Sequence, residues 1–167
     1  MRTSGRRSPR RRGSRWWSGN GRPSRKRQRR PGVADPAAAV VDTHALLFHA
    51  AGGGRLGPRA REHFAACERR QALLYVPAAA IWECVLLARA GRVNLRRSAR
   101  DFFQDLFSNP AYQPYDLTAE QVLLAEELRI NRDPFDALIC AAARDLELPL
   151  VSRDTDIRSS GALRVIW

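Results

Sequence analysis

The chain has 167 residues and a formal net charge of +12 at pH 7, and that charge is confined to one end: 13 of its 29 Lys and Arg fall in residues 1–32, which hold no Asp or Glu. The rest carries 16 basic and all 17 acidic residues, a charge of −1, so an argument from basicity to nucleic-acid binding applies to the first 32 residues alone. No stretch approaches the roughly 20 apolar residues that a bilayer crossing needs, and no secretory signal core is present, which points to a cytoplasmic protein without a membrane partner.

Residues 1–36 are rich in Arg, Ser, Gly and Pro and hold two adjacent tryptophans, Trp16 and Trp17. Such a composition buries too little apolar surface to offset chain entropy and predicts a disordered tail. It reads equally as a basic arm or transit segment and as sequence upstream of the true start, with Val33, Val40 or Val41 as alternative initiation sites. Residues 37–167 suffice for one domain with one core. Cys67, Cys84 and Cys140 are odd in number, widely spaced and set in apolar surroundings, the pattern of buried reduced thiols.

Ala37–Val41 is a short apolar run without helical periodicity and predicts a buried strand that stops at Asp42. A helix over Thr43–Ala50 should end at Gly52-Gly53-Gly54, and Pro58 should open another reaching about Arg70. Leu73–Val76 is the next strand, followed by a helix from Ala78 to Ala90 stopped by Gly91. Ser98 should cap a helix over Ala99–Phe107, and Ala111–Leu117 is a weak extended segment. Thr118-Ala119-Glu120-Gln121 has the form of a capping box and begins a helix ending near Arg129. Asp133-Pro134 starts a helix over Ala137–Leu146, and Leu148–Ser152 and Leu163–Ile166 are short closing strands. The alternation predicts βαβ units, a mainly parallel sheet flanked by helices, and a site at the carboxyl ends of strands.

Four acidic islands punctuate this order: Val40-Val41-Asp42-Thr43-His44, Ile81-Trp82-Glu83-Cys84, Asp133-Pro134-Phe135-Asp136 and Ser152-Arg153-Asp154-Thr155-Asp156. If they converge, their charges repel unless a cation neutralises them, and an all-oxygen set suits a hard ion such as Mg²⁺ or Mn²⁺. Asp42 reads both as a helix cap and as a ligand. Asp133 is assigned mainly to capping and Asp136 to the ligand role. Glu83 sits among apolar neighbours, where an unpaired carboxylate is costly. Asp154 and Asp156 read either as ligands or as turn residues. His44, His49 and His63 show no ligand spacing, which argues against zinc; His44 is expected to support the site from outside the ligand set or to be structural.

In order and spacing these islands resemble the PIN-domain nucleases, specifically the VapC-type toxins of bacterial toxin–antitoxin pairs. Val40-Val41-Asp42-Thr43-His44-Ala45 is similar to that family's opening strand and first acid, and Ile81-Trp82-Glu83 with Gly91-Arg92-Val93 to its second. Asp133-Pro134-Phe135-Asp136-Ala137-Leu138-Ile139 resembles the third, and Leu150-Val151-Ser152-Arg153-Asp154 the fourth. Ala80 stands where Ser is common, Ala137 where Arg is common and Ser152 where Thr is usual. The resemblance implies a three-layer α/β/α sandwich and a Mg²⁺- or Mn²⁺-dependent endoribonuclease leaving 5′-phosphate and 3′-hydroxyl ends. It further implies a homodimer, neutralisation by a VapB-like antitoxin, and metal ligands Asp42, Glu83, Asp136 and Asp154, with Asp156 as a further candidate. Arg92, Arg96 and Arg97 are candidates for contacting the RNA backbone. A non-catalytic nucleic-acid-binding protein acting through its basic tail is the alternative. A haloacid-dehalogenase-like enzyme would need a second Asp where His44 stands.

Overall fold

The computed structural model of the chain describes residues 37–128 and 130–167. In chain order these form β1 (Ala37–Val41), α1 (Thr43–Ala50), α2 (Pro58–Glu68), β2 (Ala72–Pro77), α3 (Ala78–Arg89) and α4 (Ala99–Ser108). Then follow β3 (Tyr112–Tyr115), α5 (Ala119–Leu128), α6 (Pro134–Asp145), β4 (Leu150–Val151), α7 (Thr155–Ser160) and β5 (Val165–Ile166). The predicted disordered tail, the alternative start at Val33 and the predicted helix end at Arg129 lie outside the described residues. Among those described, no helix is long and apolar enough to cross a membrane.

All strand pairings are parallel, and the order across the sheet is β3-β2-β1-β4-β5. The chain therefore builds outward from β1 through β2 to β3, then returns to the other side of β1 for β4 and β5. That reversal opens a crevice between the carboxyl ends of β1 and β4, where open α/β sheets place their chemistry.

Strand periodicity supplies both halves of the core. Ala39 and Val41 of β1 face a cluster with Leu46 of α1, Phe64 of α2 and Phe102 and Phe103 of α4. Val40, between them, faces the opposite cluster with Ile139 and Cys140 of α6 and Ile157 of α7. Successive side chains of a strand leave on opposite faces, so a strand covered on both sides must be apolar throughout. The result is the expected α/β/α sandwich.

Two local expectations are revised. The Thr118 hydroxyl accepts from the Gln121 backbone N–H at 3.2 Å, as a capping box requires, but the Gln121 amide does not return to Thr118. Gln121 is buried and donates instead to Asp145 Oδ2 at 2.9 Å, because a buried amide must find a partner where it lies. The second revision is α7, a short helix in the segment read as a possible turn. Asp154 Oδ1 accepts from the N–H groups of Asp156 (2.8 Å) and Ile157 (2.9 Å), and Gly161, at φ 67°, ends the helix. Cys67, Cys84 and Cys140 are buried and free, and burial pushes each thiol up to about 12. Such thiols remain protonated and inert.

Candidate active site

Asp42 follows β1 directly and is 3% exposed. Its Oδ1 accepts from the His44 backbone N–H at 3.4 Å, capping α1, and its Oδ2 accepts from Ser152 Oγ at 2.7 Å. Ser152 follows β4, and its hydroxyl oxygen also accepts from the Asp154 N–H at 3.0 Å. One hydroxyl thus ties the ends of the two strands that flank the crevice. Burial pushes the Asp42 carboxyl above its usual range, opposed chiefly by the Ser152 hydrogen bond.

Glu83 reaches the crevice from the middle of α3 and is half-buried. Burial raises its pKa, the Thr43 hydroxyl opposes this, and the charges of Asp42 and Asp133 add to it. The Thr43 hydroxyl is buried and, among the described residues, meets no partner at hydrogen-bond geometry. Asp136, in the first turn of α6, accepts from the Asn131 amide at 2.6 Å. Burial is the main reason its carboxyl is pushed up to about 6; Asn131 opposes it, and Asp42, Asp133 and Asp154 add to it. Asp133 caps α6 through the Phe135 N–H at 2.8 Å.

Asp42, Glu83, Asp133, Asp136 and Asp154 line a single cleft of about 570 Å³, together with His44, Phe48, Arg55, Arg153 and Thr155. The four residues predicted as ligands are therefore brought together, and Asp133 joins them while capping its helix. Asp156 is exposed on α7 and does not line the cleft. Nor do the three predicted substrate arginines. Arg92 is exposed beyond the end of α3. Arg96, at φ 60°, and Arg97 line a separate groove with Leu47 and Phe102. Arg97 is paired with Asp105 and lies 6.0 Å from the Phe102 ring centre. The basic residues of the cleft are Arg55 and Arg153, which sequence reasoning missed along with Asn131. Arg153 stood inside an acidic island, the one available signal; Arg55 follows a glycine run that marks only a turn.

The five carboxylates, with no thiol beside them, make an oxygen donor set suited to a hard divalent cation, and the one imidazole of the cleft, His44, is exposed. Three of the carboxyls are held above their usual range, as crowded acids are before a cation neutralises them. Among the described residues no three such groups are closed into a ligand cage. Each carboxyl of Asp42, Asp136 and Asp154 has an oxygen engaged by a protein donor instead. The residues fit a hard cation in chemistry, and they share one cleft without converging on a single point.

The fold is shared with known proteins. The chain resembles VapBC2 from Rickettsia felis bound to a DNA fragment from its promoter, at 12% identity and a TM-score of 0.57, covering 77% of this chain and 96% of that one. It resembles the Mycobacterium tuberculosis toxin VapC20, which cleaves the sarcin–ricin loop, at 18% identity and a TM-score of 0.56, covering 77% and 99%. DNA-bound VapBC from Salmonella typhimurium is similar at 14% identity and a TM-score of 0.54, covering 77% and 96%. These likenesses show a shared fold. No curated protein matches the chain in sequence. The family model of the PIN domain matches residues 39–162, from β1 through α7 and past all four acidic islands. The chain belongs to the PIN domain family.

Proposed function

We propose that the chain is a metal-dependent endoribonuclease, the toxin of a toxin–antitoxin pair. The observation that carries this reading is the gathering of Asp42, Glu83, Asp136 and Asp154, from four separate stretches of sequence, in one cleft at the sheet's switch point. A protein that only bound nucleic acid would gain nothing from acids that repel phosphate. A Mg²⁺ or Mn²⁺ ion held by these four carboxylates would lower the pKa of a water and offset charge on the scissile phosphate. The chain's own contribution is orientation. Ser152 fixes Asp42, Asn131 fixes Asp136, and the N–H groups of α7 fix Asp154. Pre-set ligands spare the site a reordering cost when the ion arrives.

The similar structures include a toxin and a toxin–antitoxin complex, and on that analogy a VapB-like antitoxin silences this chain; a homodimer working in the cytoplasm completes the proposal. Asp42→Asn tests the site. It keeps one acceptor oxygen for the α1 cap and turns an amide N–H toward the Ser152 hydroxyl, which can accept it, so the protein should stay folded, while RNA cleavage falls on the order of 100-fold or more and growth inhibition is lost. Full cleavage by this variant at ordinary Mg²⁺ concentrations would remove Asp42 from the reaction.

A further inference from the structure

The carboxylates fill only part of the cleft; the rest is built on one ring. The Arg55 guanidinium lies 5.6 Å from the centre of Phe48 and that of Arg153 lies 5.7 Å from it. Two cations on one ring repel each other. Five acids line the same cleft, yet neither arginine is in an ion pair with any acid among the described residues. The aromatic face holds each guanidinium by cation–π attraction and leaves the N–H fork free for another partner. Both arginines are exposed.

The platform is also supported from behind. Phe48 meets the Trp167 ring edge-on at 6.4 Å and the His44 ring at 6.3 Å. Trp167 is seated over Gly57, where an added Cβ would lie 2.5 Å from the Trp167 carbonyl carbon and 2.7 Å from its ring. Only glycine permits that approach. The turn bearing Arg55 is tied to Phe48 by the hydrogen bond from Gly53 N–H to Phe48 O (2.8 Å) and braced within itself by those from Leu56 N–H to Gly53 O (3.0 Å) and from Arg61 to Leu56 O (3.2 Å).

We propose that Arg55 and Arg153, mounted on Phe48, clamp a phosphate of single-stranded RNA beside the one cleaved. The proposal rests on the nuclease reading and supplies what the acids lack, an attraction for a polyanion. Two unpaired guanidinium forks on a fixed mount match the bidentate geometry of a phosphodiester. It also moves substrate contact away from Arg96 and Arg97, whose groove lies elsewhere.

The test measures binding of a labelled single-stranded RNA of about 12 nucleotides to the full chain, with Ca²⁺ in place of Mg²⁺ and over a range of salt. Arg55→Ala/Arg153→Ala should weaken binding on the order of tenfold and reduce the salt slope by roughly one. Arg55→Lys/Arg153→Lys should recover the slope but only part of the affinity, because charge is kept and the fork is lost. Arg59→Ala/Arg89→Ala removes the same charge from exposed sites outside the cleft and should change little. Equal effects in the cleft pair and this control pair, in variants with the parent's melting temperature, would overturn the clamp. That result, together with cleavage by the parent and none by Asp42→Asn, would leave the nuclease reading standing and turn the pair toward an acidic protein partner. Loss of RNA affinity in the cleft pair, in a parent that cleaves no RNA with Mg²⁺ or Mn²⁺, would support the clamp and remove the nuclease.

Discussion

Asp136 carries the clearest consequence of crowding acids into a half-buried cleft. Its carboxyl titrates at about 6 rather than at the ordinary 3.8, first because of burial and then because Asp42, Asp133 and Asp154 face it. The folded protein therefore holds this proton more tightly than the unfolded chain does. Between those two values stability falls as pH rises, and the penalty is complete above about 6. Metal-free protein should accordingly melt several degrees higher near pH 5 than near pH 7, and Asp136→Asn should flatten that slope. Saturating Mg²⁺ or Mn²⁺ should reverse it, since the ion binds the ionised acids of the folded state only. Melting curves across pH with and without the ion decide the matter, and an unchanged slope in Asp136→Asn would assign the dependence to other groups. At this scale the acids were legible because each sits at the edge of an apolar run, where a charge needs a reason. Arg55 and Arg153 were not, because what marks them is their approach to Phe48, seven residues from one and far along the chain from the other.

The helices were read best where a side chain caps them within a few residues. Ser98 accepts from the Asp101 N–H at 3.1 Å, and Asp133 opens α6 with Pro134 in its first turn. Signals that close through the tertiary structure were misread, as with Gln121, whose amide turns to Asp145. The short helix α7 shows how one residue can serve an element and a site together. Asp154 caps it with two hydrogen bonds and also lines the cleft, while Asp156 in the same first turn is exposed. The two roles separate by substitution. Asp154→Asn retains a capping oxygen and should cost only a few tenths of a kcal/mol in stability while abolishing cleavage. Asp154→Ala should lose cleavage and in addition about 1 kcal/mol of stability. Asp156→Ala should leave cleavage within about twofold of the parent, as a surface change does. Denaturant midpoints and cleavage rates for the three variants check this; a strongly impaired Asp156→Ala would return Asp156 to the ligand set.

Across the whole molecule, parallel strands could be read from alternation, but their order could not. Local sequence does not say that β4 returns to lie beside β1, which depends on Val40 meeting Tyr75 on one side and Leu150 on the other. That return is what creates the crevice, so the acids were visible before their meeting place was. Charge is divided as sharply as topology is ordered: residues 1–32 carry +13 and the remainder −1, with every acid in the remainder. Among the described residues, both core clusters are built from the stretch between Ala39 and Trp167. A chain beginning at Ala34 should therefore fold with the parent's melting temperature within about 2 °C and keep its metal-dependent cleavage. Its affinity for single-stranded RNA should fall and depend less steeply on salt, by about 0.7 in slope for each phosphate that the basic segment neutralises in the parent. The contribution of Arg55 and Arg153 should persist in that shorter chain, because their mount, Phe48, and its support, Trp167, both remain. A truncated chain that does not fold would make residues 1–33 part of the domain. One that binds RNA with the parent's affinity and salt slope would show that RNA binding belongs entirely to the near-neutral part.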